Sequence, residues 1–98
     1  MTELQLQKKV LRMIKTEFPT AFYYKAHDQF TAGIPDIIGC ISGVFFGVEL
    51  KRPGAKPRKL QVYVMDKIRA AGGYALCADS LDQVRHFLCD LKIHAEGR

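Results

Sequence analysis

Residues 33–51 read GIPDIIGCISGVFFGVELK, and their pattern decides the fold. Two apolar runs, Asp36 to Ile41 (DIIGCI) and Val44 to Lys51 (VFFGVELK), are joined through Ser42-Gly43. Two residues of that type between apolar runs predict a β-hairpin. In the second run, alternation sends Val48 and Leu50 to one face and Glu49 and Lys51 to the other. One face is therefore apolar, while the other presents a carboxylate and an amine together. Asp36 follows Gly33-Ile34-Pro35, where Pro rigidifies the chain and Gly permits an unusual turn. Asp36 and Glu49 are equally far from the Ser42-Gly43 turn, so the hairpin sets two carboxylates roughly opposite each other.

Downstream, a basic, Pro-containing loop from Arg52 to Lys59 leads to a helix with Leu60, Val64, Met65, Ile68 and Ala71 on one face, ending at Gly72-Gly73. Tyr74 to Ala78 (YALCA) reads as a short buried strand. Ser80 and Gln83 form a capping box for a last helix striped by Leu81, Val84, Leu88 and Leu91. Upstream, Thr2 and Gln5 form another capping box. It opens a helix carrying Leu4, Val10, Leu11, Ile14 and Phe18, which Pro19 stops. Ala21 to His27 (AFYYKAH) is an aromatic-rich strand, followed by a polar loop from Asp28 to Gly33. The order is α-β-β-β-α-β-α, an α/β fold with a small mixed sheet flanked by helices. The βαβ unit sets the last strand parallel to the second strand of the hairpin.

The chain has 98 residues, enough for one core and hence one domain over 1–98. With 48% hydrophobic and 26% charged residues, it falls outside the disordered, collagen-like and disulfide-scaffold classes. Its net charge of +5 favours a polyanionic partner. Cys40, Cys77 and Cys89 lie far apart in apolar runs with no CxxC pair, which reads as reduced core cysteines of a cytosolic protein. The amino-terminal stretch has no signal-peptide pattern, and no apolar run reaches the ~20 residues that would span a bilayer.

Polar residues at positions where apolar ones belong carry the functional information, because burying them costs free energy unless they have partners. Glu49 and Lys51 alone describe an edge-strand ion pair as well as a site. Asp36 beside Glu49 is more demanding: two carboxylates ~4 Å apart repel by up to about 4 kcal/mol at an effective dielectric near 20. A proton or a cation between them relieves this. With oxygen ligands and neither Cys nor His at ligand spacing, the cation would be hard, Mg²⁺ or Mn²⁺. Gln61 falls on the buried arc of the second helix near its start, either as a site residue or at a frayed end. Glu3 shares the face of Val10 and Ile14 with Gln7, and an acid there also suits the helix dipole. Of Tyr23 and Tyr24, which alternate across a strand, at least one is expected to pack. Phe45, Phe46 and Phe87 suit a core or an interface.

Gly33-Ile34-Pro35-Asp36, then Glu49-Leu50-Lys51, then Gln61 on the following helix resemble the PD-(D/E)XK nuclease superfamily. More narrowly, they resemble its stand-alone phage or bacterial VRR-NUC (virus-type replication-repair nuclease) domains. The resemblance extends from Glu3 to the strand after Gly73. It implies a restriction-endonuclease-like α-β-β-β-α-β core and metal-dependent hydrolysis of DNA phosphodiesters in the cytoplasm of a bacterial or phage-infected cell. It implies that Asp36 and Glu49, with the Leu50 carbonyl and Glu3 as additional ligands, hold Mg²⁺ or Mn²⁺. Lys51 orients or helps deprotonate the attacking water, and Gln61 supports the site. It further implies a homodimer that cuts branched DNA, as Holliday junction resolvases do; a flap, nick or non-specific duplex nuclease is the alternative. A non-catalytic nucleic-acid-binding module is the other class of reading. The cations Lys51, Arg52, Lys56, Arg58 and Lys59 are expected to bind the DNA backbone, extended by Lys25 and His27.

Overall fold

In a computed structural model that describes residues 1–26 and 31–97, Thr2 starts the first helix as its capping residue. Its hydroxyl accepts from the Gln5 N–H at 3.1 Å, while Gln5 Oε1 accepts from the Thr2 N–H at 2.9 Å. The elements are α1 (Glu3–Glu17), β1 (Phe22–Lys25), β2 (Ile37–Ile41), β3 (Val44–Leu50), α2 (Lys59–Ala70), β4 (Tyr74–Ala78) and α3 (Leu81–Glu96). The order is the expected one, and Ser80 with Gln83 caps α3 as Thr2 and Gln5 cap α1. The first strand is shorter than the Ala21 to His27 run, and His27 lies outside the described residues.

One four-stranded sheet runs β1-β2-β3-β4, antiparallel across the first three strands and parallel between β3 and β4. Ser42 and Gly43 take φ of 50° and 81°. Two positive φ values are what a type I′ hairpin turn requires, because its twist matches that of the paired strands. The turn fixes the register at Ile41↔Val44 through Ile37↔Val48, and every side chain's face follows from it.

On one face, Ile37, Ile41, Val44, Phe46, Val48 and Leu50 are buried against Leu6, Val10, Met13 and Ile14 of α1 and Val84, Leu88 and Leu91 of α3. Burial of each such side chain contributes about 1.5–3 kcal/mol. Arg85 of α3 also forks onto Glu17 of α1, donating at 2.8 and 3.1 Å. The α1 stripe is shifted from the expected one: Leu6 and Met13 belong to it, whereas Leu4 is exposed. Tyr23 packs on this core and Tyr24 stays exposed. Phe46 is central, Phe87 packs at the margin and Phe45 is exposed.

The opposite face of β3 and β4 is covered by α2. Here the expected stripe is corrected at both ends. Gln61 and Met65 are buried, Val64 and Ile68 are half-buried, and Leu60 and Ala71 are exposed. The helix turns its amino-terminal amide inward, so Leu60 is left over the loop before β2. The three cysteines are free but only half-buried, and Cys89 packs against the core. No helix among the described residues is long and apolar enough to cross a membrane.

Gly39, in the middle of β2, leaves no room for a side chain between the β1 backbone and Phe46 of β3. A Cβ there would overlap the Phe22 carbonyl oxygen and come within 2.8 Å of Phe46 Cζ. Neither the strand backbone nor a fully buried ring can move freely. Gly39→Ala is therefore expected to cost at least about 1–3 kcal/mol, measured as a lower urea midpoint with an unchanged slope.

Candidate active site

The GIPD segment places its acid by successive contacts. Gly33 has φ +86° and lies against the start of α2, where a Cβ would come within 2.9 Å of Leu60 Cγ and 3.0 Å of Val64 Cγ2. Only glycine combines that backbone with that approach. Pro35 is buried and packs over Gly47 of β3. Asp36 then stands one position beyond the Ile37↔Val48 pair, and its Oδ2 accepts the Leu50 N–H at 2.7 Å. A hydrogen bond from a backbone amide to a carboxylate is charge-assisted, and it fixes the acid against the end of β3.

Glu49 lies next to this point and is only 3% exposed. Its Oε2 accepts from Gln61 Nε2 at 2.8 Å, and Lys51 Nζ stands 3.7 Å from the same oxygen. Gln61 is oriented from its other end, because its Oε1 accepts the Arg58 N–H at 2.8 Å across the first turn of α2. One amide thus satisfies a helix terminus and a buried acid together. Glu49 Oε1 is buried and accepts no hydrogen bond from any described residue. Burial, and secondly the nearby Asp36, push the Glu49 carboxyl from an ordinary 4.5 up to about 7, against the pull of Lys51. Cys77 is the β4 residue paired with Glu49, and burial, followed by the Glu49 charge, raises its thiol.

Asp36, Glu49, Lys51 and Gln61 therefore converge at one end of the sheet. An orphaned carboxylate oxygen beside a second carboxylate fits a hard divalent cation, since such an ion supplies the missing partner and cancels the repulsion. Leu50, tied to Asp36 through its N–H, offers the adjacent backbone.

Glu3 is not part of this group. It is exposed in the first turn of α1, ahead of Leu6, the first residue that the core covers. Among the described residues, no three His, Cys, Asp or Glu side chains come together to hold a metal. The structure does not bring Glu3 together with Asp36 and Glu49, and its role as a further ligand rests on the resemblance alone.

Arg52, Lys56 and Arg58 are exposed on the loop between Lys51 and α2, and Lys59 is exposed as the first residue of α2, at the same end of the sheet. Lys25 is exposed at the end of β1. Its pairing with Ile37 places it by alternation on the sheet face opposite to Tyr24 and Asp36. The Leu50 N–H, the Arg58 N–H and Cys77 are site neighbours that the motifs did not reveal. The parallel register of β4 would have found Cys77, and a helix start at Arg58, three residues before Gln61, would have found the Gln61 anchor.

No family model matches the sequence, and no curated protein is significantly similar to it in sequence. In structure the chain is similar to a solved structure described as a VRR_NUC domain. The match has a TM-score of 0.71 and 25% sequence identity, and covers 88% of this chain and 94% of the other. The fold built from the hairpin outward is that of a VRR-NUC domain, as the GIPD, ELK and downstream glutamine motifs led us to expect.

Proposed function

We propose that this chain is a Mg²⁺- or Mn²⁺-dependent endonuclease that hydrolyses DNA phosphodiester bonds, working as a homodimer on branched DNA such as a four-way junction. The observation that carries the reading is Glu49, a buried acid with one oxygen that has no partner among the described residues, held by Gln61 and Lys51 beside Asp36. The structural likeness to a VRR_NUC domain supports it. Asp36 and Glu49, with the Leu50 carbonyl, would hold the cation. When bound, it supplies Lewis acidity to the phosphate and to water.

The other roles follow from the chain itself. The Lys51 side chain is 15% exposed, so its ammonium is partly desolvated and interacts more strongly with phosphate charge than a solvated lysine does. It stands where it can orient an attacking water and offset charge that develops on the scissile group. Gln61 keeps the Glu49 carboxylate in a single orientation. The loop cations Arg52, Lys56, Arg58 and Lys59 hold the DNA backbone on either side of the cut.

Incubation of labelled four-way junction, flap, duplex and single strand with protein and Mn²⁺ tests the substrate. The junction is expected to be cut fastest, with paired incisions. Equal rates on junction and linear duplex would replace the junction assignment with that of a non-specific nuclease. Binding is expected to weaken steeply with salt, and Lys56→Ala with Arg58→Ala should reduce the slope of log affinity against log salt by up to about 2. An unchanged slope would place the backbone contacts elsewhere.

A further inference from the structure

Among the described residues, half of the face that carries Asp36 and Glu49 is open. α2 packs on β3 and β4, leaving the β1–β2 half of the same face without a covering element among the described residues. Phe22 pairs with Cys40 and Tyr24 with Ile38, so both aromatic rings project from the face that carries Asp36, Glu49 and Lys51. Phe22 is 67% exposed and Tyr24 50%. Their ring centroids are 6.2 Å apart at an interplanar angle of 60°, so the rings brace each other edge to face and do not pack into the core. Tyr23, between them, is the residue that packs there. Tyr24 is the diagonal neighbour of Asp36, with Cα atoms roughly 7–8 Å apart in such a register. A large aromatic pair left exposed on an edge strand buries little surface and invites unwanted pairing, so its placement one step from the acid needs another reason.

We infer that Phe22 and Tyr24 form a stacking platform for a base that has lost a stacking neighbour beside the scissile phosphate, so the preferred substrate is DNA whose bases are unstacked next to the cut. The inference rests on the nuclease reading and names what selects the substrate. Within a duplex each base is already stacked between neighbours and its faces are taken. At a flap or at the opened centre of a junction a base face loses its stacking neighbour, and an aromatic ring at a cationic groove captures it without regard to sequence. Charge favours DNA over a second copy of the chain on this face: each chain carries +5, with Arg52, Lys56, Arg58 and Lys59 at the same end of the sheet. Two such faces would repel, whereas a polyanion is attracted.

The test uses 2-aminopurine placed at the branch point of a flap, or inside a duplex, in metal-free buffer where no cutting is expected. The wild-type protein should bind the flap and quench the branch-point probe. Tyr24→Ala should weaken flap binding about tenfold or more and lose the quenching. Its duplex affinity should stay within about twofold of wild type, and Tyr24→Phe, which keeps the ring, should behave as wild type. Absent flap binding, equal losses on flap and duplex, or no loss on either would overturn the inference. So would a Tyr24→Ala protein that sediments as a monomer where wild type is a dimer, because the face would then belong to a second copy. Failure of the nuclease reading is seen separately, as an absence of cutting of any DNA in Mn²⁺.

Discussion

Asp36→Asn is expected to lower the single-turnover cleavage rate on branched DNA by about 10³-fold or more while leaving the fold nearly as stable as before. The substitution keeps the shape and retains a carbonyl oxygen to accept the Leu50 N–H that Asp36 Oδ2 accepts at 2.7 Å. What it removes is the charge. A cation site contributes several kcal/mol of transition-state stabilisation, and each ~1.4 kcal/mol is tenfold in rate. Lys51→Ala removes the ammonium 3.7 Å from Glu49 and leaves both carboxylates. Its expected loss is about 10²- to 10³-fold, comparable with removal of a single preorganised donor. Single-turnover kinetics on a labelled junction, with thermal melts as the folding control, read both. Full activity in Asp36→Asn would remove that acid from the chemistry, and full activity in Lys51→Ala would reduce Lys51 to an ion-pair partner.

Glu49→Gln is expected to stabilise the metal-free protein above pH 7. The Glu49 carboxyl is raised from 4.5 to about 7, first by burial and then by Asp36. Between those values the folded state binds a proton that the unfolded state has released, so stability falls as pH rises through the window and is lowest above it. The full shift corresponds to about 3 kcal/mol. Glutamine keeps an oxygen for the Gln61 amide but leaves the Lys51 ammonium without its partner, so the net gain at pH 8 is about 1–3 kcal/mol. That is on the order of 10 °C in melting temperature for a domain of this size. At pH 4 the difference should nearly vanish, because glutamate is then mostly protonated in both states. Mn²⁺ should raise the melting temperature of wild type and not that of the variant. A variant less stable than wild type at pH 8, or a difference that persists unchanged at pH 4, would mean that ionised Glu49 is not a strained group.

The site was legible in the sequence where backbone geometry alone decides it. Ser42-Gly43 set the hairpin, the hairpin set Asp36 opposite Glu49, and alternation put Lys51 on the same face. Gln61 was legible as an amide on an apolar arc, and it is buried against Glu49 as that position suggested. Positions at element ends were harder to read, because periodicity reports which way a residue faces and not whether anything lies opposite. Glu3 and Leu60 each point toward an expected face and remain exposed, one ahead of the core and the other over the Gly33 loop. The Leu50 and Arg58 amides were invisible for a different reason, since every residue carries the same backbone donor and only tertiary placement says which one is used. Phe22 and Tyr24 were seen as aromatic, but their exposure depends on α2 stopping at β3.

Under the proposed function, two carboxylates at the end of one hairpin create a phosphodiesterase site once a divalent cation is present. A Mn²⁺ titration of the single-turnover cleavage rate on a labelled four-way junction tests it most directly, beginning from protein stripped with EDTA. The rate should be indistinguishable from background without metal, rise with Mn²⁺ to a plateau, and stay at background throughout for Asp36→Asn. Cutting in EDTA at the plateau rate, or none at saturating Mn²⁺ on the junction, a flap, duplex and single strand alike, would contradict the claim.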